Sequence, residues 1–198
     1  MFCQQLLAHR DLVTESFWAD EAGVWLSECT KKKIWTLDKK PTAPAPIDEV
    51  KLNIWAAISM NGATSIYIYR ENFDQTVYVR ILEARKKEMS KLFPQGFYFF
   101  HDKHASHKAQ SVNNWAAENG LFLNLLPTKC SDLNPIENLW GWLKERIAED
   151  SPVDEDTLSR SIKKNWKKVT KEFILPYINS LYDRCDECIA RKGDYVDY

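Results

Sequence analysis

The first 70 residues show the alternation of apolar and polar positions that is typical of β-strands. Residues 16–20, Ser-Phe-Trp-Ala-Asp, read as a short strand that ends in an acid, and residues 24–29 and 34–37 read as two further strands. Residues 51–60 alternate, Asn61-Gly62 is a hairpin signal, and residues 65–70 supply the partner strand. Three prolines within residues 41–46 predict an extended loop.

After residue 70 the apolar spacing indicates helices that alternate with short strands. Asp74 is placed to cap a helix that runs to about residue 93, and residues 107–119 predict a second helix, which Gly120 ends. Residues 97–100 and 121–126 predict strands, and three further helices begin at Asn134-Pro135, residue 154 and residue 171. The order β-β-β-α-β-α-β-α-α predicts an RNase H-like α/β fold. We expect a mixed five-stranded sheet flanked by helices, in one domain over residues 1–198.

Composition describes an ordinary globular chain, because 44% of its 198 residues are hydrophobic and 28% are charged. No run of about 18 apolar residues is present, so we expect no membrane partner, and residues 1–10 do not resemble a signal peptide. Five scattered cysteines predict reduced thiols, hence a nuclear protein if the source is eukaryotic and otherwise a cytoplasmic one. The Cys185 and Cys188 pair is interpreted as two helix residues, with a zinc or redox role as the alternative.

Charge alone does not predict a nucleic-acid partner, since the net charge is −1 and the pI is about 6.4. The basic residues are nevertheless clustered. In residues 158–173 apolar side chains recur at helical spacing, and lysines fill the other faces. This pattern fits either a solvated amphipathic helix or a surface that contacts DNA phosphates; on the second reading, the DNA-binding lysines are Lys163, Lys164, Lys167 and Lys168.

Three acids form the candidate chemistry. Asp20 and Asp102 each end a predicted strand, and Glu137 lies in the first turn of a predicted helix. Carboxylates suit a site that holds two divalent ions about 3.5–4 Å apart and cuts phosphodiester bonds. Each acid also has a structural explanation: Asp20 as a turn residue, Asp102 as a helix cap, and Glu137 as the capping-box partner of Asn134.

The residues around these acids resemble a known family. Residues 131–140, Ser-Asp-Leu-Asn-Pro-Ile-Glu-Asn-Leu-Trp, closely resemble the signature of mariner-type transposases, the cut-and-paste DNA transposases with an Asp-Asp-Glu catalytic domain. Asp20-Glu21, residues 53–59 with Gly62, Asp102 with residues 107–109, and Arg184 with residues 190–198 resemble other family motifs in the same order. Thirty-four residues separate Asp102 from Glu137, a spacing that the superfamily uses. The resemblance covers roughly residues 14–198.

This resemblance implies that Asp20, Asp102 and Glu137 are the catalytic residues and the ligands of two Mg²⁺ ions, which Mn²⁺ can replace. It implies a supporting role for Asn134 and for His107, which would orient Asp102 or contact DNA. The implied reaction is hydrolytic cutting at transposon ends, followed by attack of the freed 3′-hydroxyl on target DNA. Transposon-end DNA and target DNA are the implied partners, with a homodimer as the implied assembly.

The chain differs from the family pattern at two positions. Lys103 follows the second aspartate, where the family usually has Asn, and Ser131 stands where it usually has Pro. Lys103 is placed to pair with Asp102, to face solvent or to contact a DNA phosphate. We also expect the family's two N-terminal helix-turn-helix modules to be absent from this chain. These differences leave open a catalytically silent, transposase-derived DNA-binding or interaction module.

Overall fold

The computed structural model describes residues 2–29, 50–128 and 130–196. Within these residues six strands form one mixed sheet. The strands are β1 (Ser16–Trp25), β2 (Lys51–Ser59), β3 (Gly62–Ala63), β4 (Tyr67–Tyr69), β5 (Tyr98–His101) and β6 (Phe122–Leu125). The order across the sheet is β3-β2-β1-β5-β6, and β4 also pairs with β2. Strands β2, β3 and β4 run antiparallel to their partners, whereas β1, β5 and β6 run parallel to one another.

Eight helices accompany the sheet in the described part of the chain. They are α1 (Phe2–Ala8), α2 (Asp11–Thr14), α3 (Leu26–Cys29), α4 (Gln75–Leu92), α5 (Gln110–Glu118), α6 (Ile136–Asp150), α7 (Glu155–Trp166) and α8 (Lys171–Ala190). One buried cluster lies between one sheet face and α1, α6, α7 and α8, and a second lies between the opposite face and α4 and α5. Alternation along β1 sends Trp18 into the first cluster and Phe17 and Ala19 into the second. The RNase H-like arrangement, a mixed sheet flanked by helices, is confirmed.

Several predicted boundaries in the first 70 residues were wrong. Strand β1 does not end at Asp20 but continues to Trp25, because it pairs with β2 from Trp18 opposite Ile58 to Trp25 opposite Lys51. Backbone pairing outweighs the low strand propensity of two consecutive acids. Residues 26–29, expected as strand, form α3, and its buried residues Leu26 and Cys29 have the i, i+3 spacing of a helix. The expected strand at 34–37 and the loop at 41–46 lie outside the described residues.

The hairpin and the following strand also differ in detail. Met60 and Asn61 form the turn, and Gly62 begins β3 with a φ of +136°, a value that side chains disfavour. The single strand expected at 65–70 is replaced by β3 and β4, both of which pair with β2. The sheet therefore has six strands instead of the five expected, because both β3 and β4 pair with β2. Helices α1 and α2 were not predicted.

The helix predictions after residue 70 were more accurate. Asp74 caps α4 as expected, since its Oδ1 accepts hydrogen bonds from the backbone N–H groups of Thr76 and Val77 at 2.9 and 2.8 Å. The helix expected at 107–119 is divided into a 3-10 turn, Ala105–Lys108, and α5. Helix α7 ends at Trp166, a few residues before the predicted end. Free Cys185 and Cys188 both lie in α8, as interpreted from the sequence.

Candidate active site and metal centre

The register of two parallel strands sets the positions of the first two acids. Ser16, Phe17 and Trp18 of β1 lie opposite Tyr98, Phe99 and Phe100 of β5. Two residues beyond the last pair come Asp20 and Asp102, so the acids lie at the same level on adjacent strands. Because side chains repeat on one face every second residue, both acids follow Trp18 and Phe100, whose rings stack with centroids 4.5 Å apart. This apolar pair forms a rigid base below the acids.

A helix that packs on the same face carries the third acid. Glu137 is the second residue of α6, whose buried residues Ile136, Leu139 and Trp140 belong to the cluster that contains Trp18. The expected capping box is not present. Asn134 has an extended backbone and its side-chain Nδ2 donates to the carbonyl of Ala19 at 3.4 Å, the residue before Asp20. Asn134 therefore joins the start of the helix to the strand that bears the first acid.

All three acids line one cleft of about 410 Å³. Its wall also contains Asn134 and Lys103, two residues that the sequence assigned to supporting and DNA-binding roles. The other lining residues are Glu21, His104, Leu126, Pro127, Thr128, Cys130 and Ser131. The arrangement gathers carboxylates from β1, from the end of β5 and from α6 in one cleft.

The cleft carries more negative charge than its walls neutralise. Burial raises the pKa of Asp20 well above its usual range, and the neighbouring carboxylates Glu21, Glu137 and Asp102 raise it further. Burial also raises the pKa of Glu137, although a hydrogen bond with Asp20 and the charge of Lys144 act in the opposite direction. Asp20 and Glu137 thus form a hydrogen-bonded carboxyl pair that favours holding a proton. A divalent cation would replace that proton.

Asp102 has a different partner. Its Oδ1 lies 2.7 Å from Nδ1 of His107 and accepts a hydrogen bond from the backbone N–H of His104 at 2.8 Å. The hydrogen bond with His107 is the main reason that the pKa of Asp102 falls to about 2. Nε2 of His107 lies 3.2 Å from Oε1 of Glu21. Burial lowers the pKa of His107, but the hydrogen bonds to Asp102 and Glu21 outweigh it and raise the pKa to about 10.

Buried rings pack against His107. Its ring stacks on His101, with centroids 4.7 Å apart, and lies 4.3 Å from the ring of Tyr78. The hydroxyl of Tyr78 is hydrogen-bonded to Nδ1 of His101 at 2.7 Å, and burial lowers the pKa of His101 to about 3, so this imidazole is neutral. Sequence reasoning missed Tyr78. No pattern in the sequence indicated this contact between α4 and β5.

The predicted DNA-binding lysines are not gathered in one place. Lys103 is exposed at the cleft, and none of the ion pairs in the described part of the chain joins it to Asp102. Lys164 pairs with Asp150 at 2.7 Å, and Lys168 donates to Oδ1 of Asn165 at 2.7 Å. Lys163 and Lys167 border a separate pocket beside Thr64, Ser65, Ile66 and Trp166. Only Lys103 of the five therefore lines the acidic cleft.

The donor set of the cleft fits a hard divalent cation, because carboxylate and amide oxygens are the ligands that Mg²⁺ prefers. Oδ1 of Asn134 is buried without a hydrogen-bond partner among the described residues, and it belongs to a side chain that lines the cleft. The side chains are not yet gathered around one point. Over residues 2–29, 50–128 and 130–196, no group of three His, Cys, Asp or Glu side chains is already arranged as a ligand set. Asp102, whose side chain is 54% exposed, lines the cleft while its Oδ1 contacts His107.

Comparison with known proteins identifies the family. The family model described as DDE superfamily endonuclease matches residues 15–159, well over half of the chain. The chain belongs to the DDE superfamily endonucleases. This DDE endonuclease is 24% identical over 146 residues to the Tc1 transposase of Caenorhabditis elegans, and the match covers 73% of the chain and 54% of that transposase. It is 25% identical over 148 residues to the Tc3 transposase of the same organism, covering 73% and 45% of the two proteins.

Solved structures confirm the fold of the DDE endonuclease. It matches the Mos1 transposase in a paired-end complex with the left transposon end, with a TM-score of 0.82 and 18% sequence identity over 98% of this chain and 61% of that chain. It also matches the isolated catalytic domain of the Mos1 mariner transposase, with a TM-score of 0.77 and 17% identity over 98% and 92% of the two chains. The expected resemblance to mariner-type transposases is thus confirmed.

The DDE endonuclease spans about half of the length of the Tc1 and Tc3 transposases that it matches. None of the helices in its described residues has the length and apolar character needed to cross a membrane.

Proposed function

We propose that this chain is the metal-dependent catalytic domain of a cut-and-paste DNA transposase, which cuts DNA at transposon ends and joins the freed 3′-hydroxyl to target DNA. The observation that carries the proposal is the convergence of Asp20, Asp102 and Glu137 on one cleft in a DDE superfamily endonuclease. The described residues act as one RNase H-like domain, because both buried clusters pack on a single sheet.

The chain's own residues provide the binding site for the cations. When bound, two divalent ions, Mg²⁺ or Mn²⁺ in its place, would activate the attacking water or hydroxyl and stabilise the leaving oxygen. Asp20, Asp102 and Glu137 would hold these ions through their carboxylate oxygens. Several Mos1 structures contain Mg or Mn, including a paired-end complex with Mn, which supports the choice of ions.

Residues beside the acids orient them and bind the substrate. His107 is 2% exposed and contacts both Asp102 and Glu21, which supports a role in orienting these acids rather than in contacting DNA. Asn134 fixes the start of α6 against β1, and thereby the position of Glu137 relative to Asp20. Exposed Lys103 at the rim supplies a positive charge for a DNA phosphate that approaches the cleft.

The partners follow from the same proposal. Transposon-end DNA and target DNA are the substrates, with Lys163, Lys164, Lys167 and Lys168 as a second phosphate-contacting surface. Mos1 forms paired-end complexes, which supports a homodimer that brings two DNA ends together. The Tc1 homologue is a transposase of a eukaryote, Caenorhabditis elegans, which supports a nuclear location.

A catalytically silent DNA-binding or interaction module is the second candidate. It is favoured by the engagement of Asp102 with His107 and by the lysine that follows Asp102. The two candidates differ in whether the cleft takes up cations.

Calorimetric titration with Mn²⁺ separates the two candidates. We expect binding by the wild-type chain, and at least tenfold weaker binding by Asp102→Asn and Glu137→Gln, because each variant replaces an anionic ligand with a neutral amide. Glu118→Gln, which changes an exposed acid outside the cleft, is the matched control and should bind as the wild type does. Nicking of supercoiled plasmid DNA in Mn²⁺ should follow the same order. No Mn²⁺ binding by the wild type at millimolar concentration would instead support the silent module.

A further inference from the structure

The C-terminal residues 191–196, here called the strap, return from the end of α8 to the segment that precedes α6. The return begins at Lys192 and Gly193, which have φ values of +58° and +90°, and the N–H of Gly193 donates to the carbonyl of Cys188 at 2.8 Å. At the end of the strap Val196 is fully buried, and its N–H donates to Oδ2 of Asp132 at 3.0 Å. The strap is therefore anchored at its last residue, while residues 191–195 are exposed.

Arg184 of α8 holds the same segment from a second direction. The side chain is 5% exposed, and its Nη1 donates to the carbonyl of Asp132 at 2.9 Å while Nη2 donates to Oδ1 of Asn138 at 2.7 Å. Its Nε donates to Oγ of Ser180 one helical turn away at 3.0 Å, which fixes the orientation of the guanidinium. The planar guanidinium of Arg184 thus binds both Asp132 and Asn138, which flank Glu137 in the sequence.

Hydrogen bonds consequently hold the segment 132–138 at both ends and in the middle. Arg184 and Val196 hold Asp132, Arg184 holds Asn138, and Asn134 is joined to Ala19 of β1. Glu137 lies between these ties and directs its carboxylate into the cleft. Neither Arg184 nor any strap residue lines the cleft, so they act on the acid through the segment that carries it.

We propose that Arg184 and the strap are positioning elements for the third carboxylate: they fix the segment 132–138 so that Glu137 meets Asp20 and Asp102 at the distance a cation requires. The inference rests on the proposed function, since it gives this fixation a purpose in metal binding. A 20-residue helix and the chain terminus, both remote in sequence from the cleft, thereby become part of its geometry.

Two variants remove the ties independently. Arg184→Lys keeps the positive charge but loses the planar fork that reaches Asp132 and Asn138 together. A chain that ends at Tyr195 lacks the N–H that Val196 donates to Asp132. Arg160→Lys, on an exposed part of α7, is the matched control for the first variant. The shortened chain keeps the proposal testable if Arg184→Lys does not fold.

Hydrogen exchange in metal-free protein provides the first measurement. Amides of residues 132–138 should exchange about tenfold faster in both variants than in the wild type and the control, because one or more ties are lost. Amides of β1 and β2 report whether the fold is retained. Calorimetry provides the second measurement: Mn²⁺ should bind about tenfold more weakly to both variants, the usual effect of removing a group that supports a ligand.

The outcomes separate this inference from the proposed function. Unchanged Mn²⁺ affinity in both folded variants, beside a wild type that binds Mn²⁺, overturns the positioning role. Unchanged exchange of residues 132–138 also overturns it. A wild-type chain that binds no Mn²⁺ refutes the proposed function instead, while the exchange comparison still decides whether Arg184 and the strap fix the segment.

Discussion

Asp20→Asn should stabilise the metal-free protein although it removes a ligand. Asp20 lies among three other carboxylates, Glu21, Glu137 and Asp102, and burial together with these charges raises its pKa. An asparagine has nearly the same shape and keeps the side-chain oxygen that accepts the N–H of Glu21, now at 2.8 Å. Its amide can also donate to Glu137, the present hydrogen-bond partner of Asp20. The substitution therefore removes a repulsive charge and retains the local hydrogen bonds.

The size of the effect follows from the number of like charges. Each pair of carboxylates a few ångströms apart near the surface costs on the order of 1 kcal/mol or more. Three neighbours are involved, and partial protonation of Asp20 relieves part of the repulsion, so we expect a gain of about 2 kcal/mol. For a chain of this size that gain corresponds to a rise in Tm of about 4–8 °C.

The gain should grow as pH rises. Because the pKa of Asp20 is higher in the folded protein than the value of about 3.9 in the unfolded chain, the folded state keeps a proton that the unfolded state has released. The metal-free wild type therefore loses stability as pH rises from about 4 through the raised pKa. The asparagine variant has no such proton, so its advantage is small near pH 4 and largest above the raised pKa.

Thermal unfolding in EDTA, followed by circular dichroism, measures this difference. Mn²⁺ should then narrow the difference between the two proteins, since a ligand at 100 times the wild-type Kd adds about 2.7 kcal/mol to the wild type but only about 1.4 kcal/mol to a variant that binds tenfold more weakly. Asp183→Asn, which neutralises an exposed acid of α8, is the matched control and should leave Tm nearly unchanged in EDTA. An equal or lower Tm for Asp20→Asn in EDTA would refute the electrostatic reasoning.

Two further predictions concern α6 and α7. Hydrogen bonds from Lys164, then from Ser161 and Asn165, lower the pKa of Asp150 to about 2, so Asp150→Ala should cost about 1 kcal/mol at pH 7, as measured by urea unfolding. Because the folded-state pKa is lowered, this contribution is present above about pH 4 and is lost as pH falls towards 2, where the wild type and the variant should converge. Replacing Lys163 and Lys167 together with glutamine should weaken DNA binding and reduce the slope of log K against log salt by about 2, as measured by fluorescence anisotropy at several salt concentrations. An unchanged slope would show that the two lysines belong to a solvated helix face.

The helices after residue 70 could be predicted because their signals are local. The apolar spacing of α4 and its Asp74 cap depend on residues that are neighbours in sequence, and α4 was predicted within a few residues. The extent of β1 depends instead on pairing with β2, more than 25 residues away, so its continuation through Asp20 to Trp25 was missed. Helix α3 is a single turn, too short for periodicity to distinguish from a strand.

In the candidate site, too, the residues could be predicted from local sequence signals, whereas the contacts between distant residues could not. The three acids could be proposed from the residue types and from the family resemblance, and the structure brings them to one cleft. Whether each acid had a purely structural role depended on contacts between distant residues, which the apolar periodicity does not indicate. Asn134 donates to Ala19 rather than capping α6, and Asp102 contacts His107. Likewise, the hydrogen bond between Tyr78 and His101 joins groups whose spacing in sequence carries no pattern.

The constant register between β1 and β5 has a consequence for sequence variation. Because strand pairing sets the separation of Asp20 and Asp102, the number of residues that connect β1 to β2, or α4 to β5, is free to change without moving either acid. A deletion of one residue between Trp18 and Asp20 has the opposite effect, since it would turn the carboxylate to the other face of the sheet. Relatives should therefore tolerate insertions of many lengths between the first two acids, and a search that requires a fixed interval between them would overlook active members.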